Sequence, residues 1–226
     1  LTGDAGQFAV DFLRPLLALL AFQVLEQAGI HCLIGAGDTR TGPIVSGLVA
    51  FLNIPMAWSF FHGLGPLPAL GFTGIAFGTA LSHVAGSLIV LAVLTRGRYG
   101  LRLGWRGLRP DPSLMYRLLR VSVPAAVDSF SVILGQLWFL SLVNQIGSGA
   151  LRDYVVAAHG HAIRWEGLGY LSGKAFGVAA MALVGQNLGA GRAAAAARSG
   201  WTALVLGAAV MSLMGLIFFA LAVPMF

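Results

Sequence analysis

Six long apolar stretches constrain this chain more than any other feature of its sequence. A transmembrane α-helix needs about 20 mostly apolar residues, because each residue rises only about 1.5 Å across a hydrocarbon layer about 30 Å thick. Of the 226 residues 58% are hydrophobic and only 10% are charged, so polar surface is too scarce for a domain that faces water. The sequence therefore predicts an all-α polytopic membrane helix bundle with about six transmembrane helices. The predicted spans are 12–34, 43–62, 69–95, 116–146, 155–186 and 200–226.

The connector between the third and fourth predicted spans carries most of the positive charge. Its arginines, together with those that open the next span, are Arg96, Arg98, Arg102, Arg106, Arg109, Arg117 and Arg120. Because loops rich in Lys and Arg stay on the cytoplasmic side, this connector is predicted to be inside. Alternation of the spans then places Arg40, Arg192 and Arg198 inside as well, and Arg14 and Arg152 outside. We expect a multi-pass protein of the cell membrane.

The remaining signals do not favour an enzyme, a cofactor or a nucleic-acid partner. The glycine-rich segment 185–191 lacks the Gly-Lys-Ser/Thr ending of a phosphate-binding loop and follows no strand pattern. His159 and His161 are two residues apart, which points them to different helix faces and disfavours a metal site. The basic residues lie between apolar runs rather than on one polar face, which disfavours nucleic acid. With Cys32 as the single cysteine, no disulfide can form within the chain.

Asp128 is the first candidate for function, because an ionisable group inside a membrane is costly and needs a reason. It follows Pro124 by four residues, and at helical spacing it shares a face with Ser131, Gly135 and Phe139. One interpretation is a carboxylate that binds a proton or Na⁺. The other is a structural hydrogen bond at a kink made by Pro124.

The fifth predicted span is the most polar and holds the second candidate, Glu166. His159, Glu166, Tyr170 and Lys174 fall near one helix face, at spacings of seven, four and four. One interpretation is a water-accessible stripe on which Glu166 titrates; the other is charge neutralisation that only holds helices together. The residues expected to line the cavity or contact the substrate are Gln136, Phe139, Arg164, Trp165, Tyr170 and Lys174.

The apolar stretches hold further polar residues, and of these the pair of Asp11 and Arg14 is interpreted as structural. Asp11 and Arg14 are three residues apart and can pair on one helix face, close to the membrane interface. Glu26 lies in the second half of the first predicted span. Three histidines are interpreted as lone polar contacts: His31, His62 and His83.

Three segments together resemble the multidrug and toxic compound extrusion (MATE) family, and within it the DNA-damage-inducible, DinF-like bacterial branch. The segment 35–43, Gly-Ala-Gly-Asp-Thr-Arg-Thr-Gly-Pro, is similar to the family's loop between its fourth and fifth helices. The segment Val123–Asp128 is similar to the start of the seventh helix. Residues 157–166 and 182–192 resemble the eighth helix and the loop after it. Related bacterial sequences often carry Glu at the position of Asp128.

The resemblance implies that the chain is the middle of a twelve-helix transporter with two six-helix lobes. Residues 1–95 would be the second half of the N-terminal lobe, 96–113 a cytoplasmic arginine-rich connector between the lobes, and 114–226 the first half of the C-terminal lobe. The chain begins with Leu1 and enters an apolar run almost at once, and it ends inside another. We therefore expect an internal fragment, to be completed by the remaining helices of the same polypeptide.

The resemblance also implies a function: secondary active efflux of drugs or other organic, often cationic, compounds against H⁺ or Na⁺. Asp128 and Glu166 would bind the coupling cation, no other cofactor is expected, and the location would be the inner membrane of a bacterium. Two alternatives stay open. A flippase for lipid-linked precursors would need a large basic cavity, and a non-transporting scaffold or sensor would keep its charged residues paired and dry.

Overall fold

The computed structural model describes residues 4–64, 68–104 and 110–222, and these residues form seven α-helices. The helices are α1 (Asp4–Ala18), α2 (Leu20–Gly35), α3 (Thr41–His62), α4 (Phe72–Arg96), α5 (Pro112–Val143), α6 (Ala150–Gly189) and α7 (Ala193–Ala220). The predicted all-α fold is confirmed for the described part of the chain.

Within the described residues five helices, α3 to α7, are long and apolar enough to cross a membrane. Helices α1 and α2 meet at a bend of 53° and provide a sixth span if the bent pair counts as one. The first predicted span, 12–34, covers the end of α1 and most of α2, so the sequence located it correctly but did not show the bend. The prediction of about six spans is confirmed.

Local side-chain and backbone chemistry explains where α5 begins and where α3 ends. At the start of α5, the Asp111 carboxylate accepts backbone hydrogen bonds from Ser113 at 2.9 Å and Leu114 at 3.4 Å, and Pro112 occupies the first turn. Both features are typical of helix N-termini, where the first N–H groups lack helical partners. Helix α3 ends at Gly63, whose φ of 70° is in the left-handed region that glycine adopts without strain.

The chain divides into two compact units, residues 1–105 and 106–226. The division falls within the connector predicted at 96–113, and Arg106 and Arg109 of that connector lie outside the described residues. The assignment of the two units to halves of two transporter lobes stays a prediction.

In unit 1, helix α4 packs against α1, α2 and α3. Close approach depends on small residues: a methyl group at Gly78 would lie 2.5 Å from the Ala57 backbone of α3. The apolar core between α2, α3 and α4 consists of Ile30, Leu33, Val45, Val49, Val90 and Leu94.

An ion pair joins two connectors of unit 1. Arg98, which follows α4, contacts Asp38 of the α2–α3 connector. The two connectors that the charge pattern predicts on the same side of the membrane therefore lie at the same end of this unit.

In unit 2, helix α6 packs along α7, whereas α5 contacts α6 over a short stretch only. Among the described residues of α5 only Val143 is buried. Large apolar side chains of this helix, such as Trp138 and Phe130, are exposed. An apolar surface of this size is stable only when lipid or further helices cover it.

Candidate functional site

Helices α5 and α6 place Asp128 and Glu166 at one pocket within unit 2. The pocket has a volume of about 370 Å³. Its lining residues recur along one face of each helix, as the helical period requires. They are Asp128, Ser129, Val132, Ile133 and Gln136 on α5, and Ile163, Glu166, Gly167 and Tyr170 on α6.

The polar groups of this pocket are oxygen-rich, and two of them are carboxyl groups. In addition to the two carboxylates, Ser129 and Tyr170 bring hydroxyl groups and Gln136 brings an amide. Among the described residues neither Asp128 nor Glu166 takes part in an ion pair. Carboxylate and other oxygen ligands suit protons and hard cations, so the pocket has the chemistry of a site for H⁺ or for a small cation.

The pocket brings together four of the eight residues that the sequence singled out: Asp128, Glu166, Gln136 and Tyr170. Helix α5 continues through Pro124, and no side-chain hydrogen bond of Asp128 occurs among the described residues. Both interpretations of Asp128, a cation-binding carboxylate and a structural group at a kink, stay predictions. The role of these residues in binding stays a prediction.

The other four predicted residues lie elsewhere in unit 2. The Phe139 ring packs on His159, with 5.3 Å between ring centroids, and Trp165 packs edge-on against Phe218 of α7 at 6.1 Å. Arg164 and Lys174 are exposed and do not line the pocket. Residues 164 and 165 are rotated away from the helix face shared by 163, 166, 167 and 170. Lys174 shares that face but lies one turn beyond Tyr170, the last residue of α6 that lines the pocket.

A second polar site, which sequence reasoning missed, lies in unit 1. His83 Nδ1 is 2.9 Å from Glu26 Oε2, between α4 and α2. The sequence suggested only a lone contact for His83 and no partner for Glu26. The sequence did contain one signal, because a carboxylate halfway along an apolar helix needs a partner. Nothing in the sequence identified His83 as that partner. The predicted pair of Arg14 and Asp11 is present, at 3.7 Å.

The fold and this site define a class: a polytopic α-helical membrane protein with two carboxylates at a pocket between two of its spans. The sequence comparisons agree with that class. The MatE family model matches residues 124–226, which include all the residues that line the pocket.

Curated bacterial proteins match over most of the chain. "Probable multidrug resistance protein NorM" of Thermotoga maritima is 31% identical over 193 residues, which is 84% of this chain and 40% of that protein. "Multidrug resistance protein NorM" of Burkholderia vietnamiensis is 32% identical over 204 residues, 86% of this chain and 43% of that protein. "Probable multidrug resistance protein YoeA" of Bacillus subtilis is 30% identical over 152 residues, 66% of this chain and 33% of that protein. No solved structure matches the chain significantly.

The resemblance to the MATE family that the three segments predicted is confirmed by the family model over residues 124–226 and by the similarity to the NorM proteins. The chain spans about 40% of the length of the curated relatives it matches. The narrower assignment to the DinF-like branch stays a prediction.

Proposed function

We propose that this chain is part of a secondary active efflux transporter in a bacterial cell membrane. The transporter would export drugs or other organic, often cationic, compounds in exchange for H⁺ or Na⁺. The names of the relatives support a role in multidrug resistance. Because the chain spans less than half of their length, helices outside it would complete two lobes and cover the exposed apolar surface of α5.

The observation that carries this proposal is the pocket shared by Asp128 and Glu166. Two carboxylates without a basic partner at one pocket repel each other when both are ionised, and a bound proton or Na⁺ relieves that repulsion. Cation binding from outside would thus neutralise the pocket and weaken its hold on a cationic substrate. A rocking motion of the two lobes would expose the pocket alternately to the two sides of the membrane.

The aromatic residues near the pocket suit such a substrate. Tyr170 lines the pocket itself and offers a ring face to an organic cation. The proposed roles of Phe139 and Trp165 in substrate contact are retained for the complete transporter only, because within this chain their rings pack on His159 and Phe218.

The pocket lining disfavours the two rivals. A flippase for lipid-linked phosphates would need basic groups to bind the phosphates, and the lining contains neither Lys nor Arg. A scaffold that keeps its charges paired would neutralise Asp128 and Glu166, and both lack an ion-pair partner among the described residues.

Ion-driven efflux by the full-length polypeptide tests the proposal. Proteoliposomes would be loaded with fluorescent organic cations, with the Na⁺ and pH gradients imposed separately. We expect Asp128→Asn and Glu166→Gln each to reduce efflux strongly, and the double variant to abolish the part that a gradient drives. Asp153→Asn is the matched control, because Asp153 is exposed and lies outside the pocket. Efflux at the wild-type rate by the double variant, under either gradient, would refute the proposal.

A further inference from the structure

Glu26 and His83 form a partly buried acid–imidazole pair between α2 and α4 of unit 1. Glu26 is the sixth residue after Leu20, near the middle of α2, and His83 is near the middle of α4. The Glu26 side chain is 1% exposed and the His83 side chain 20% exposed, and the 2.9 Å between Oε2 and Nδ1 is hydrogen-bonding distance. The pair therefore lies within the membrane-spanning part of this unit. Glu26 is fully buried, and His83 is partly exposed.

The packing around Glu26 shows that the site is built tightly. A methyl group at Gly86 of α4 would lie 2.7 Å from Glu26 Oε2 and 2.5 Å from Val49 Cγ2 of α3. Glycine at this position thus lets the carboxylate lie directly against α4. One turn before His83, Thr79 accepts a hydrogen bond from Asn53 of α3 at 2.9 Å, so the polar contacts extend to a third helix.

The other described charged or titratable side chains on the elements packed here are exposed, occupied elsewhere or at helix ends, and Cys32 of α2 is one of the exposed ones. On α1, Arg14 pairs with Asp11. On α2, His31 Nδ1 contacts the Gln27 carbonyl of its own helix at 2.7 Å. Among the described residues, α3 adds His62 in its last turn and α4 adds Arg96 in its last turn. No described cation is therefore in place to balance Glu26 except the imidazole of His83.

We propose that Glu26 and His83 form a second proton-binding site of the transporter, separate from the pocket at Asp128 and Glu166. The inference rests on the proposed function. A neutral imidazole already carries one proton. When the pair holds one further proton, shared between Oε2 and Nδ1, it has no net charge. When that proton leaves, a net negative charge stays buried between three helices, which is unfavourable at membrane depth.

Proton release is therefore linked to a change in packing. The deprotonated pair is stabilised by any arrangement of α2 and α4 that admits water or a substrate cation, and the protonated pair is stabilised by the closed arrangement seen here. His83, which is partly exposed, provides the route by which the proton enters and leaves.

The chemistry of the pair selects a proton over Na⁺. A sodium ion needs several oxygen ligands, whereas this site offers one carboxylate and one imidazole. A carboxylate and an imidazole at 2.9 Å can instead share one proton through their hydrogen bond.

Direct titration of the full-length protein tests the site without relying on transport. Histidines would be labelled with ¹⁵N, and the imidazole signals followed by NMR in detergent micelles. His83 would be assigned by the signal lost in His83→Gln. We expect the His83 titration step to shift in Glu26→Gln, while His31→Gln, the matched control on α2, leaves it unchanged. A His83 signal that does not titrate at all from about pH 5 to 8, or that ignores Glu26→Gln, overturns the proposal.

Efflux measurements then separate this proposal from the proposed function. In proteoliposomes we expect His83→Gln to flatten the pH dependence of efflux, with binding of the dye retained. If the wild-type protein drives efflux and His83→Gln has an unchanged pH profile, the second site is wrong and the transport function stands. If the wild-type protein drives no efflux, the transport function fails while the NMR titration still decides whether the pair binds a proton. If His83→Gln alone does not fold, the double variant Glu26→Gln with His83→Gln replaces it in the efflux measurement, because two amide side chains can keep a hydrogen bond.

Discussion

The Nε atom of Arg98 lies 2.8 Å from Oδ2 of Asp38, and this ion pair ties the segment after α4 to the connector between α2 and α3. The Asp38 side chain is 0% exposed, while that of Arg98 is 48% exposed. Asp38 also accepts backbone hydrogen bonds from Arg40 at 3.1 Å and Thr41 at 3.0 Å, and a third from the Thr41 hydroxyl. The carboxylate is thus the centre of a buried polar network, and Arg98 is its outermost member.

Removal of the two partners of this pair should have unequal effects. We expect Asp38→Ala to lower the free energy of unfolding by about 2–3 kcal/mol, because buried donors lose a charged acceptor. Arg98→Ala should cost less than about 1 kcal/mol, because water screens a half-exposed ion pair. Thermal unfolding in detergent micelles would measure both, with Arg102→Ala, an exposed arginine of the same segment, as control. Equal losses for Asp38→Ala and Arg98→Ala would contradict the network described here.

The same network predicts how stability depends on pH. Burial raises the pKa of Asp38, but the hydrogen bonds from Thr41 and Arg40 and the Arg98 charge outweigh it, so the pKa falls below its usual 3.8. A carboxyl with a lowered pKa in the folded state contributes stability above its unfolded pKa and loses it as pH falls through the folded value. Asp38→Asn should therefore be less stable than the wild type at pH 7, and the difference should shrink below the usual pKa of 3.8. A difference that stays constant down to acid pH would argue against the ionised carboxylate as its source.

Gly78 marks a position where two helix backbones leave no room for a side chain. A methyl group there would approach the Ala57 N and Cα atoms to 2.5 Å, and backbone atoms cannot rotate away. We expect Gly78→Ala to destabilise the protein by about 1–3 kcal/mol, in the range typical of overpacking. Gly135→Ala on α5 is the matched control, since nothing lies within 4 Å of its added methyl group. The unfolding temperature should fall in Gly78→Ala and should not fall to the same extent in Gly135→Ala. Equal decreases in the two variants would refute close packing of α3 against α4.

The first turn of α5 should depend on the carboxylate of Asp111. Loss of the N-cap in Asp111→Ala should cost about 1 kcal/mol, because the Ser113 and Leu114 amides lose their acceptor. Asp111→Asn should be close to neutral, because asparagine caps helices about as well as aspartate. Thermal unfolding or hydrogen exchange at the start of α5 would compare them, and an Asn variant as unstable as the Ala variant would exclude capping as the cause.

Helix positions were largely predictable because the signal is local. The predicted spans 43–62 and 69–95 differ by no more than three residues at either end from Thr41–His62 and Phe72–Arg96. A long apolar run forms a helix in lipid whatever surrounds it, since its backbone groups must pair within the segment. The 53° bend between α1 and α2 had no such signal, because both sides of it are apolar and helical.

The candidate site was predictable only in part, for a similar reason. Helical spacing along α6 already placed Glu166 and Tyr170 near one face, and both line the pocket. The Asp128 face of α5 lies opposite Glu166 and Tyr170 because of how the two helices pack. Spacing within one helix does not specify that packing. The same limit explains why Lys174, on the same face of α6 as Glu166, does not line the pocket, whereas the different face of Arg164 already follows from its spacing.

The sequence by itself determined the solvent, the helices and the residues that need an explanation. Low charge and long apolar runs require a membrane, and each ionisable group within those runs requires a partner or a function. Only the tertiary structure decided the partners. Glu26 and His83 are 57 residues apart in the chain, and their contact exists because α2 and α4 pack closely across Gly86. Contacts of this kind depend on the shapes of two helix surfaces at once, and no single segment of the sequence encodes them.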